Sequence, residues 1–110
     1  MGAAKMAENM RMRAQLKGGV TEVKVLMTHP METGRRKNDF GDVIPAHFIQ
    51  LVSASLNGKQ FLEAQWGTGI SKNPYLTFHL RSAKIGDVIK ISWLDNLGKT
   101  GEGEVVVTQA

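Results

Sequence analysis

The chain has 110 residues, of which 42% are hydrophobic and 22% charged, and its net charge is +4. This length predicts a single globular domain with its own hydrophobic core. Cysteine is absent, which excludes disulfides, thiol catalysis and Cys-ligated zinc, iron–sulfur or blue-copper sites. Basic residues are scattered rather than arranged in a stripe with aromatics, so nucleic-acid binding is not expected. Neither a membrane span nor the apolar core of a secretory signal is recognisable.

Short apolar alternations separated by Gly, Asn and Pro, without a clean helical period, predict an all-β chain. We predict seven strands, at about Met10–Leu16, Thr21–His29, His47–Leu56, Gln60–Trp66, Tyr75–Leu80, Asp87–Leu94 and Glu102–Thr108. Asn57-Gly58 is typical of a tight hairpin turn, and Trp93 is predicted to supply the largest part of the core. This pattern favours an immunoglobulin-like antiparallel β-sandwich over a small barrel.

The domain is predicted to cover residues 10–110, and Met1–Asn9 are expected to form a flexible tail. Met6 would also make a natural start, so residues 1–5 are a candidate addition to the natural chain.

The longest irregular segment, from Met27 to Ile49, holds two of the three prolines, two of the three histidines and the only Arg-Arg pair. A catalytic loop, a metal site and a docking surface are the three interpretations to compare. In the strand that follows, alternation places Ile49 and Leu51 on the face opposite to Val52. A sandwich strand needs only one apolar face. Either the loop covers Ile49 and Leu51, or they belong to an exposed patch that a partner covers.

Catalytic chemistry has no recognisable basis in the sequence. The serines lie outside any nucleophile motif, and the carboxylates are scattered along the chain without an evident pair. The glycines at positions 98, 101 and 103 fall in a hairpin without a following helix N-terminus to bind phosphate. We therefore predict no catalytic and no cofactor-binding residues, and a protein that is not an enzyme by itself.

Three candidate metal ligands, Met27, His29 and Met31, are spaced two residues apart. In an extended segment all three side chains would project on one side, and thioether and imidazole groups suit Cu(I). A periplasmic copper-binding β-sandwich is therefore the alternative function. Methionine fills cores far more often than it binds metal, and Pro30 is expected to redirect the chain before Met31. His47 has no partner at ligand spacing, so no metal site is predicted.

Four segments, HPMETGRRKN, GDVIPAHFI, SKNPY and WLDNLG, occur in this order. Together they resemble the SoxZ family, the Z subunit of the sulfur-oxidation (Sox) carrier complex, from about Met10 to Val107. The resemblance implies a non-catalytic immunoglobulin-like subunit that pairs with a SoxY-type subunit, whose C-terminal cysteine carries intermediates of thiosulfate oxidation. It further implies a periplasmic heterodimer, exported with SoxY, that transiently meets other Sox enzymes without inserting into a membrane.

The loop is then most simply a docking segment. We expect the contact core to consist of Met27, His29, Met31, Ile49 and Leu51. Arg35 and Arg36 are expected at its polar rim, where they would attract anionic sulfur cargo or acidic enzyme surfaces. A free-standing copper protein and a monomeric adhesion or ligand-binding sandwich are the other classes left open.

Overall fold

The structure, a computed structural model, describes residues 10–110, and the predicted tail at residues 1–9 lies outside them. All regular elements in this part are strands: β1 (Met10–Lys17), β2 (Val20–Met27), β3 (Ile49–Leu56), β4 (Lys59–Gln65), β5 (Tyr75–Leu80), β6 (Val88–Asp95), β7 (Thr100–Val106) and β8 (Thr108–Gln109). Residues 10–110 form no helix that is long and apolar enough to cross a bilayer.

Two four-stranded sheets pack face to face, with strand orders β5-β2-β1-β8 and β4-β3-β6-β7. The pairings are antiparallel except that β8 runs parallel to β1. The predicted immunoglobulin-like sandwich is confirmed, and each of the seven predicted strands is present with ends that differ by at most two residues. The short strand β8 was not predicted. It arises because the chain leaves β7 at Val107 and crosses to the opposite sheet.

The core lies between the sheets and follows the two-residue period of the strands. Val23 and Val25 of β2 and Ile89 and Ile91 of β6 are completely buried, and their neighbours along each strand face outward. Trp93 is 6% exposed, which confirms its predicted place in the core. Burial of each large apolar side chain stabilises the fold by about 1.5–3 kcal/mol.

Glycines on β7 make room for this core. Gly101 pairs with Trp93 across β6 and β7, and Gly103 pairs with Ile91. A Cβ at position 101 would overlap the indole ring of Trp93. The glycine at this position is therefore required by the close approach of the ring, since real Cβ atoms do not come so near.

The predicted two-faced strand is wrong in one respect. Ile49 is completely buried, together with Val52, although an uninterrupted alternation would place them on opposite faces. Along β3, Ile49 pairs with Asp95 and Leu51 with Leu94, so Gln50 is an extra residue opposite β6. Such a β-bulge shifts the alternation by one position. Ile49 therefore faces the core, and Leu51 alone remains on the outer face.

Candidate functional site

The segment between β2 and β3, residues 28–48, folds back on itself as an irregular arm. Glu32 and His47 exchange backbone hydrogen bonds of 2.7 and 3.0 Å at its root, and Asn38 N–H donates to the Asp42 carbonyl at 2.9 Å near its tip. The Asn38 side chain accepts the backbone N–H groups of Phe40 and Asp42, closing the tip as an Asx-type turn. The long loop therefore has a paired root and a defined, exposed tip.

The root of the arm is buried within the chain itself. Met27, Met31 and Ile49 are at most 5% exposed and belong to the core cluster, and His29 is 3% exposed. Met31 adopts a positive φ of 47° directly after Pro30, and its Sδ accepts the Ile49 N–H at 3.4 Å. These four side chains were predicted to form the contact core of a docking surface. In this fold they pack against the protein's own interior, so the prediction for them is corrected.

The carboxylate of Asp95, at the end of β6, is the centre of this region. It is 2% exposed, and its Oδ1 accepts the N–H groups of Leu97 at 3.0 Å and Lys99 at 2.8 Å. These two bonds fix the turn between β6 and β7. Its Oδ2 is hydrogen-bonded to Nε2 of His29 at 3.1 Å and to Nε2 of His47 at 2.7 Å. One carboxylate thus ties both ends of the arm to that turn.

The protonation of this cluster follows from its hydrogen bonds. Nδ1 of His29 accepts the Met31 N–H at 3.1 Å, so the ring proton sits on Nε2 and points at Asp95. Burial lowers the pKa of His29 below its ordinary value of 6.5 and outweighs the opposing hydrogen bond to Asp95. Burial raises the pKa of Asp95, but hydrogen bonds, first that from His29, outweigh it and hold this pKa below the ordinary 3.8. A neutral His29 therefore faces an ionised Asp95 near neutral pH.

Two asparagines complete the attachment of the arm. Asn73 accepts the His29 N–H on its side chain at 3.1 Å and returns its own N–H to the His29 carbonyl at 3.0 Å. Asn96 makes three such contacts, to the backbone of Ala46 and Phe48, at 2.8 to 3.0 Å. Buried backbone polar groups need partners, and these side chains supply them where the sheets end.

Metal binding was weighed for two sets of residues. In the Met27, His29 and Met31 set, both ring nitrogens of His29 already form hydrogen bonds. The second set, His29, His47 and Asp95, brings ligand atoms within 4.8 Å of one another. A metal on Nε2 of His29 would force the ring proton onto Nδ1, which faces the Met31 N–H as a second donor. The geometry therefore favours a hydrogen-bonded clamp, not a metal centre.

The two arginines predicted at the rim differ. Arg36, whose side chain is exposed, forms a bidentate ion pair with Glu32. The hydrogen bond from Arg36 lowers the pKa of Glu32. Arg35 is exposed and has no ion pair among the described residues. Arg36 thus stabilises the arm, whereas the charge of Arg35 is available at the surface.

Apolar side chains are exposed at two places near the predicted interface. Leu51, half-buried, lies directly across from Leu94 on the outer face of the second sheet, and Leu94 is 38% exposed. At the arm's tip Phe40 is 89% and Val43 55% exposed. Leu51 and Leu94 thus form one partly exposed apolar group, and Phe40 and Val43 form a second at the tip of the arm.

Sequence reasoning missed the Asp95 cluster and gave His47 no partner. His29 and His47 were visible in the loop, but their shared partner lies 66 and 48 residues further along the chain. The one local signal was Asp95-Asn96-Leu97-Gly98, which reads only as a turn.

Among solved structures, a superoxide reductase in its oxidised state aligns with a TM-score of 0.63 over 97% of this chain and 90% of that protein, at 17% identity. At this identity the likeness concerns the fold alone. A search of the curated proteins finds no similar sequence. The family model described as sulphur oxidation protein SoxZ matches residues 10–106. Because this match covers nearly the whole described chain, the chain belongs to the SoxZ family and is a subunit of a sulfur-oxidation carrier.

Proposed function

We propose that the chain is the non-catalytic mate of a SoxY-type subunit, which carries the intermediates of thiosulfate oxidation on a C-terminal cysteine. The observation that carries this proposal is the SoxZ match over residues 10–106. The composition supports it, because covalent attachment of sulfur intermediates requires a thiolate and this chain has no cysteine. The cysteine must then belong to another chain, and a heterodimer is the simplest assembly that supplies it.

The proposal includes a periplasmic location that the chain reaches together with its SoxY-type partner, and transient encounters with other Sox enzymes through the complex. Support for this part is the family membership alone. Cell fractionation with and without co-expression of the partner tests it. The chain should appear in the periplasm only when the partner is made, and a periplasmic location without the partner would contradict co-export.

We place the pairing surface on the exposed apolar groups near the arm. Leu51 and Leu94 form an adjacent pair on the outer sheet face, and Phe40 presents a nearly bare aromatic ring. Large aromatic and aliphatic anchors dominate the energetics of protein interfaces when a partner buries them. Arg35, with its available charge, fits the polar rim of such an interface. The buried root of the arm would keep these groups in a fixed position, which reduces the ordering needed on binding.

Co-purification with the SoxY-type subunit tests this surface. We expect Leu51→Asp and Phe40→Asp each to weaken pairing at least tenfold, because a carboxylate would be buried without a partner. Ile85→Asp is the control, since Ile85 is an aliphatic residue that is 53% exposed and lies in the turn before β6. Unchanged pairing by both test variants, with intact circular dichroism, would place the interface elsewhere. If purification of the chain from its native cells never yields a cysteine-bearing partner, the proposed function itself is contradicted.

A further inference from the structure

The outer face of the first sheet carries a dense group of cations near the start of β1 and the end of β2. The register places Arg11 opposite Leu26 and Arg13 opposite Lys24 across β1 and β2. Leu26 in turn lies opposite Tyr75 on β5. These five side chains line one shallow groove of about 370 Å³.

The arrangement of charge is unfavourable for the isolated chain. Like charges directly opposite each other on neighbouring strands destabilise a sheet, and Arg13 faces Lys24, with Arg11 two residues away on the same face. Among the described residues neither arginine forms an ion pair. Lys24 lies 3.6 Å from Glu22, but both side chains are about two-fifths exposed, and such pairs contribute little. The local repulsion is therefore not relieved within residues 10–110.

One end of the groove is apolar. Leu26 is 39% and Tyr75 61% exposed, and the two lie side by side across β2 and β5. Three cations beside an aliphatic and an aromatic side chain match a ligand that carries several negative charges next to an apolar group.

The spacing of the cations fits an extended peptide. Arg11 and Arg13 are two residues apart on one strand, which corresponds to about 6.6–6.8 Å along it. Carboxylates on every second residue of an extended polypeptide are separated by the same distance. A small inorganic anion would reach only one or two of these cations, and the open groove would not enclose it.

We propose that this groove, lined by Arg11, Arg13, Lys24, Leu26 and Tyr75, binds an extended acidic segment of a protein partner, with an apolar residue of that segment against Leu26 and Tyr75. The groove lies on the sheet opposite to Leu51 and Leu94, so it serves a second partner and does not depend on the proposed pairing. An acidic segment would offset the repulsion between Arg13 and Lys24. Cationic steering would also speed its association at low salt.

Fluorescence anisotropy with a labelled peptide, Glu-Ser-Glu-Ser-Glu-Ser-Phe, tests the proposal on the full chain. We expect saturable binding that weakens about tenfold or more in the triple variant Arg11→Gln, Arg13→Gln and Lys24→Gln. The matched control replaces Lys59, Lys84 and Lys99 by Gln, which removes the same charge from exposed positions elsewhere. This control should bind within about twofold of the unchanged chain. Tyr75→Ala should weaken binding severalfold with little change in its salt dependence.

Thermal unfolding gives a second, independent readout. Because the groove variant removes a like-charge contact, its Tm should equal or exceed that of the unchanged chain, and the control variant should leave Tm unchanged. A lower Tm for the groove variant would contradict the argument from repulsion.

Three further results would overturn the proposal. The first is an equal loss of peptide binding in the two triple variants, which would show attraction by net charge alone. The second is displacement of the peptide by sulfate or thiosulfate beyond the effect of chloride at equal ionic strength, which would indicate a small-oxyanion site. The third is binding to phosphatidylglycerol vesicles that depends on the same three cations and exceeds peptide binding, which would indicate a membrane surface.

Discussion

Replacing Asp95 by Asn should destabilise the fold by about 1–3 kcal/mol, and the hydrogen bonds show why the loss is limited. Asn keeps an oxygen for the Leu97 and Lys99 N–H groups. Its NH₂ group then faces His29 and His47 in place of Oδ2. His47 can move its proton to Nδ1 and accept, but His29 cannot, because its Nδ1 already accepts the Met31 N–H. The NH₂ group of the new Asn and the Nε2–H of His29 are therefore two buried donors that face each other without an acceptor. Asp95→Ala removes all four bonds and should cost about 3–5 kcal/mol.

Urea unfolding followed by tryptophan fluorescence measures the stability of both variants. Trp93 reports on this region because its ring packs edge-on against His29, with the ring centroids 5.0 Å apart. A loss of 1 kcal/mol lowers Tm by about 4–8 °C in a domain of this size. Asp39→Asn, at an exposed position near the arm's tip, is the control and should stay within about 0.5 kcal/mol of the unchanged chain. The reasoning is refuted if Asp95→Asn matches the control, or if it costs as much as Asp95→Ala.

Three other predictions concern the same region. Burial lowers the pKa of His29, so the unfolded chain takes up a proton that the folded chain does not. The free energy of unfolding should therefore fall as the pH drops below about 6.5. His29→Gln should reduce this pH dependence by up to about 1.4 kcal/mol per pH unit, measured by unfolding at several pH values. Gly101→Ala should lower the free energy of unfolding by more than about 1 kcal/mol, because the new Cβ would overlap the Trp93 ring. Gly103→Ala should lower it by less, since there the Cβ would meet flexible methionine side chains. Equal losses for the two variants in calorimetry would contradict this contrast. Cu(I) titration should show no stoichiometric site that His29→Gln abolishes; a tight site lost in this variant would revive the copper alternative.

The sequence predicted the sandwich because strand alternation and turn residues are local signals. Val23 and Ile91 lie where a two-residue period places them, and Asn57-Gly58 forms the turn between β3 and β4. The period failed at Gln50, where a bulge, which leaves no signature in composition, inverts the faces. Ile49 was consequently assigned to a surface although it is completely buried.

The cluster around Asp95 was not predictable in the same way. Its members come from the arm and from the end of β6, and only the packing of the two sheets brings them together. Spacing arguments compare residues along one segment, so His47 had no visible partner. The exposure of Phe40 at the tip could likewise not be predicted, because whether an aromatic side chain is buried depends on what packs over it.

The segments that carry the family resemblance meet in space, and this changes how they should be interpreted. His29, Asn73, Asp95 and Asn96 each come from one of these segments or its immediate flank, and their side chains attach the arm to the rest of the fold. His29 and Asp95, which are 3% and 2% exposed, cannot at the same time contact a partner. The four residues hold the arm in place, so we expect recognition of a partner to depend on the groups that the arm and the sheet faces expose. A substitution at Asp95 should therefore weaken pairing indirectly, by lowering the stability of the chain and loosening the arm, whereas one at Phe40 should weaken pairing in a chain of unchanged stability.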